Sequence, residues 1–188
     1  MALILTFKYP PIDPIFPSEC DFEQIDDFEQ IDDLTYKLVS KANEEPITYI
    51  DESAFYDYTS LESVVIPDSV KTISDKAFFN CNSLESVVIP ESVKNIGNYA
   101  FFNCTSLKSI IIPNSVNTIG ECAFSYCESL ESVVIPDSII SIQKDVFSNC
   151  TSLKIITING LLIEYLKEYF ETNYPEIDLE FPDQYLLK

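Results

Sequence analysis

The chain has 188 residues, 46% of them hydrophobic and 13% aromatic, enough to bury one core without disulfides or metals and too apolar for a disordered polymer. Its 31 acidic against 11 basic residues leave a formal net charge of −20, which repels phosphate backbones and anionic lipid and favours a protein partner with a neutral or basic surface over nucleic acid or a membrane. With no histidine, no CxxC pair, no G-x-S-x-G and only three glycines, the parts of a zinc site, a Cys-His nucleophile or a nucleotide cradle are missing, so no cofactor, metal or enzymatic activity is expected.

In chain order, the N-terminal MALILTFKYPP has five apolar residues before Thr6, too few for a secretory core, and no stretch approaches the ~18 apolar residues of a membrane span. A chain made without a leader, with a cytoplasmic or an undetermined address and no membrane insertion, is the expectation. The run CDFEQIDDFEQIDD follows. Eight acidic residues fall between Glu19 and Asp33, while Phe22, Ile25, Phe28, Ile31 and Leu34 recur at every third place. The D-x-D-x-D-G order of a calcium loop is absent. The pattern predicts an amphipathic helix lying on the N-terminal end of the core with its acidic face in water; a docking helix for a basic partner is the sharper alternative. Leu34 to Val39, with Tyr36 and Leu38 alternating, predicts an extended cap strand that completes an N-terminal arm over residues 1–45.

Residues 46–159 repeat themselves. SLESVVIP stands at Ser60–Pro67, Ser83–Pro90 and Ser129–Pro136, with SLKSIIIP at Ser106–Pro113, so the period is 23. Phe55, Phe78, Phe101, Phe124 and Phe147 keep the same step, as do Cys81, Cys104, Cys127 and Cys150. Fixed self-similarity of this length marks a solenoid, in which no unit can bury its apolar face alone. Within a unit, Leu84, Val87 and Ile89 predict an inward-facing strand, Pro90 ends it, and Glu91-Ser92 supplies a bend. Val93 and Ile96 pack the opposite wall, and Ala100 to Cys104 suggests a single helical turn. The four in-register cysteines read as small buried apolar groups that stay as thiols; Cys122, in register with Lys76, Tyr99 and Asp145, is expected to be exposed, and Cys20 falls in the arm.

Residues 160–188 form the C-terminal cap. Apolar residues at 161, 162, 165, 166, 169 and 170 predict a helix over Gly160 to Thr172. Beyond it, Leu179 and Phe181 stand 23 places after Ile156 and Ile158, which predicts a final strand, Ile177 to Phe181, with Asp178 and Glu180 guarding its edge.

The pattern A-F-x-x-C-x-S-L-x-S-V-x-I-P-x-S-V-x-x-I-G resembles the BspA-like, treponemal-type subfamily of leucine-rich repeats over roughly Ile47 to Asn159. The resemblance implies a right-handed leucine-rich-repeat solenoid of about five 23-residue units, with a parallel sheet on one side and short strands and helical turns on the other. It also implies a non-catalytic binding scaffold, some relatives being adhesins. On such a scaffold the outward side of the sheet is the candidate partner-binding face: the ladder Ser63, Ser86, Ser109, Ser132 and the ladder Val65, Val88, Ile111, Val134. Against this stands the plain preference of strands for β-branched residues. The column Glu62, Glu85, Lys108, Glu131, Lys154 beside it reads as self-neutralisation. Two functions follow as alternatives: a protein-protein interaction module using the sheet face, or a structural or adhesive surface subunit that self-assembles or attaches to host proteins.

Overall fold

The computed structural model describes residues 46–158 and 163–180 and, within 1–45, the backbone of three strands. Those three are β1 (Leu3–Phe7), β2 (Ile25–Asp32) and β3 (Thr35–Ser40). Short and long strands then alternate: β4 (Tyr49–Ile50), β5 (Leu61–Val65), β6 (Thr72–Ile73), β7 (Ser86–Val88), β8 (Asn95–Ile96) and β9 (Ser109–Ile111). The alternation continues through β10 (Thr118–Ile119), β11 (Ser132–Ile135), β12 (Ser141–Ile142) and β13 (Ile155–Ile158), and the chain closes with helix α1 (Ile163–Asn173) and β14 (Asp178–Glu180).

The repeat dictates the register. Ser63 pairs Ser86, Val88 pairs Ile111, Ser109 pairs Ser132 and Val133 pairs Ile156, all parallel and all one period apart. The long strands form one wall of a β-solenoid and β4, β6, β8, β10 and β12 form the other, a five-stranded sheet. Between the walls the inward columns predicted from spacing are buried: Leu61, Leu84, Leu107 and Leu130 are fully enclosed, as are Ile73, Val93 and Val116. Phe55, Phe78, Phe101, Phe124 and Phe147 stack with centroids 5.0, 5.1, 5.3 and 5.7 Å apart. Rings set by the inter-strand spacing of ~4.8 Å can only stack this way if every coil carries one at the same place.

The third side departs from the single helical turn expected there. Consecutive four-residue turns, closed by bonds such as Ala77 N–H to Ser74 O and Phe79 N–H to Lys76 O, include two residues per coil in the left-handed region. One set is Asp57, Asn80, Asn103, Tyr126 and Asn149, mostly residues that tolerate this conformation; the other is Ser53, Lys76, Tyr99, Cys122 and Asp145. Turning the backbone back and forth aims alternate N–H groups along the axis, so Phe55, Phe78 and Phe101 donate to Ala77, Ala100 and Ala123 of the next coil at 2.7–2.8 Å. Helix bonds within a coil would leave those groups no reach between coils.

Both ends are closed. Helix α1 lies where expected, and its Phe170, 23 places after Phe147, continues the aromatic column at 6.3 Å. Tyr174 replaces a missing coil: its hydroxyl accepts the Phe147 N–H at 3.1 Å, the donor that in earlier coils meets a backbone carbonyl. Strand β14 pairs with β13 in the register anticipated, Ile156 opposite Leu179; Phe181 lies outside the described residues. At the other end β1 runs antiparallel to β5 and β3, and β2 to β3, making a nine-stranded sheet. β3 matches the cap strand predicted there.

The acidic run needs correction: over Ile25–Asp32 it is a strand, not an amphipathic helix. An apolar period of three matches neither 3.6 nor 2, and β2 reconciles it with a strand by slipping register against β3 between Ile25 and Asp27 and again between Gln30 and Asp32. The rest of that stretch, including Cys20, lies outside the described residues. Among the described residues no helix is long and apolar enough to cross a membrane.

Candidate partner-binding face

Alternation along each long strand sends one set of side chains into the core and the other outward. Val87, Ile110 and Val133 are buried, so their neighbours Val88 and Ile111 stand 68% and 78% exposed, with Val134 at 41%. Ser86, Ser109 and Ser132 are exposed in a parallel row, and Ser63 and Val65 are half-buried where β1 pairs with β5. The eight residues read from the sequence therefore lie on one surface, brought together by strand pairing between coils. The charged column beside them contains a Lys108 Nζ to Glu85 ion pair of 2.7 Å, both partners well exposed. Such a pair stabilises little; it does place opposite charges on these two rungs.

The cysteine column is structural. Cys81, Cys104, Cys127 and Cys150 are free thiols whose Sγ donates to the carbonyl of Phe55, Phe78, Phe101 and Phe124 at 3.0–3.3 Å. Burial pushes the Cys81, Cys104 and Cys127 thiols up, so they stay protonated donors. Cys122 is half-buried, with Glu121 and Asp145 near enough that the three ligand atoms lie within 4.8 Å of one another. Glu121 is already engaged by Lys144 at 3.3 Å, an ion pair that raises the Lys144 pKa.

Sequence reasoning passed over the outward side of the short-strand sheet. There Tyr49, Thr72, Asn95, Thr118 and Ser141 follow the 23-residue step above a groove of about 700 Å³. One wall is held rigid: Asp75 Oδ1 accepts the Asn98 N–H at 2.8 Å, Asp75 Oδ2 accepts Asn98 Nδ2 at 3.0 Å, and Asn98 Oδ1 accepts the Glu121 N–H at 2.9 Å. The columns were visible as spacing, but the residue type changes at each step, and only identical letters draw the eye.

Stacked coils, each entering a parallel strand through a buried leucine, define a leucine-rich-repeat solenoid. Residues 37–182 match the BspA type leucine rich repeat region in six copies, and the chain belongs to that family. The structure is similar to that of a leucine-rich repeat protein of Treponema pallidum, with 35% identity, a TM-score of 0.62 and coverage of 64% of this chain and 56% of that one. A leucine-rich cell surface protein of Faecalibacterium prausnitzii is 31% identical, with a TM-score of 0.54 over 64% of this chain and 32% of that one. The chain thus spans about half and about a third of the length of these two relatives. The pneumococcal vaccine antigen PcpA, 21% identical at a TM-score of 0.64 over 72% of this chain and 39% of that one, shares the fold. Comparison with curated proteins finds no match. Proteins of this repeat class are generally protein-interaction or surface modules, and their fold is typically non-catalytic.

Proposed function

We propose that the chain is a non-catalytic module that binds a protein partner through the outward face of its parallel sheet, with contacts at Ser63, Val65, Ser86, Val88, Ser109, Ile111, Ser132 and Val134. The observation that carries this reading is the apolar stripe at the centre of the face, where Val88 and Ile111 are 68% and 78% exposed although each has parallel strands to seat it rigidly. A row of β-branched groups on a paired sheet loses little conformational entropy when covered, and the flanking serines offer hydroxyls at its border. The net charge of −20 supports a neutral or basic partner surface and speaks against nucleic acid. An adhesive surface role is the second reading, supported by the F. prausnitzii relative being described as a cell surface protein; it would use the same face.

Replacing Val88 and Ile111 by Asp tests the face. The double variant is expected to keep its circular dichroism spectrum and to lose, by about tenfold or more, the discrete partner that the unaltered chain retains in affinity capture at low and high salt. Equal retention by both proteins would move the binding surface elsewhere.

A further inference from the structure

We propose that the groove on the short-strand side is a second binding site, for an extended polyhydroxylated chain: an oligosaccharide that is neutral or carries amino groups. Its lining decides the ligand class by what it offers and what it withholds. Thr72, Asn95, Thr118 and Ser141 present hydroxyl and amide groups once per coil, about 4.8 Å apart, along the solenoid axis. Thr118 Oγ1 donates to Asn95 Oδ1 at 2.8 Å, which fixes the amide; among the described residues, nothing accepts from Asn95 Nδ2, and it is exposed to the groove.

Three ligand classes fit poorly. Apolar anchors have nowhere to go, because the aliphatic lining residues Ile73, Ile96 and Ile119 are at most 1% exposed and belong to the core. A peptide cannot add as a strand along the middle of the groove, since β6, β8 and β10 are paired on both edges. Phosphate, sulfate and uronate groups meet Asp51, Glu52 and Asp75 with no Lys or Arg among the lining residues. What remains is recognition by side-chain hydrogen bonds repeated at a fixed step, the chemistry of a linear sugar chain. Tyr49 at one end adds an aromatic side chain.

The wall is preorganised for this. Asp75 and Asn98 are each locked to the next coil through their carboxylate or amide. That arrangement depends on Gly97 and Gly120, where a Cβ would lie 2.5 Å from Asp75 Oδ1 and 2.7 Å from Asn98 Oδ1. Polar groups already immobilised lose little on binding, so weak individual hydrogen bonds add up.

The test is calorimetric titration of the full chain with linear hexamers of glucose, mannose, N-acetylglucosamine, glucosamine and galacturonic acid. At least one of the first four is expected to bind saturably, with the uronate hexamer weaker by about tenfold or more. Asn95→Val with Thr118→Val, chosen because β-branched residues suit strands, should cut that binding by about tenfold or more at an unchanged melting temperature. Thr72→Val provides a second, single-site variant, and Val88→Asp with Ile111→Asp should bind as the unaltered chain does. Failure of all four hexamers, equal binding of the uronate, or groove variants that bind undiminished would each overturn the proposal.

Discussion

A Cβ placed on Gly97 would lie 2.6 Å from the Asp75 amide nitrogen and 2.6 Å from the Ser74 carbonyl carbon, both backbone atoms that cannot rotate away. The close approach of Gly97 to the coil before it therefore leaves no room for a methyl. Gly97→Ala should destabilise by about 1–3 kcal/mol in urea unfolding, whereas Ser74→Ala, at the same place one coil earlier, should change stability by less than about 0.5 kcal/mol. Equal stability of the Gly97 variant would show that adjacent coils can slide apart. Residues of this kind mark the limit of what was legible. Buried columns such as Leu84, Phe101 and Cys104 announced themselves because a core position accepts one shape and repeats it. The left-handed column Ser53, Lys76, Tyr99, Cys122, Asp145 did not, because inter-coil hydrogen bonding constrains its backbone and leaves the side chain free to vary.

Among the elements, the C-terminal cap was readable and the N-terminal one only partly so. β14 keeps the 23-residue step from β13, and α1 carries Phe170 into the ring column, so the period persists even where the local structure changes to helix. The strands of the arm pair antiparallel and outside the period; the repeat could say nothing of their register, and an out-of-phase apolar pattern in β2 pointed to helix. The cap also supplies an acceptor for the buried axial donor of the last coil, while its counterparts at Asp145 and Asn149 belong to exposed residues. Phe147 is 1% exposed and, among the described residues, its N–H meets only the Tyr174 hydroxyl; burial pushes the Tyr174 pKa up, with the Phe147 N–H opposing, so the hydroxyl stays neutral. Tyr174→Phe keeps the ring against Phe170 at 5.8 Å and removes the acceptor. It should cost about 1–3 kcal/mol for the buried donor left unpaired and speed hydrogen exchange at the Phe147 amide above that of the Phe101 amide. An unchanged Phe147 exchange rate would mean the cap seals the last coil by packing alone.

For the molecule as a whole, the two edges of the nine-stranded sheet decide whether the solenoid can extend by pairing its long-strand wall with that of another copy. β14 is the outermost strand at one end and β2 at the other. Asp178 and Glu180 are exposed on β14, and β2 reads IDDFEQID. Pairing through β14 would bring its exposed carboxylates to within the ~4.8 Å strand spacing of the incoming edge, and where that edge is another β14, or the acidic β2 sequence, like charge opposes the few backbone bonds a three-residue strand can form. A self-assembling subunit built on these edges would work against its own charges, which accords with the proposed use of the lateral faces. Asp178→Thr with Glu180→Thr keeps strand propensity and removes the charge. The double variant should associate at concentrations where the unaltered chain does not, as sedimentation velocity would show. Salt near 1 M, which shortens the Debye length to about 3 Å, should move the unaltered chain in the same direction. If the variant sediments like the unaltered chain across the concentration range, charge is not what guards this edge, and a self-assembling role through the ends regains its standing.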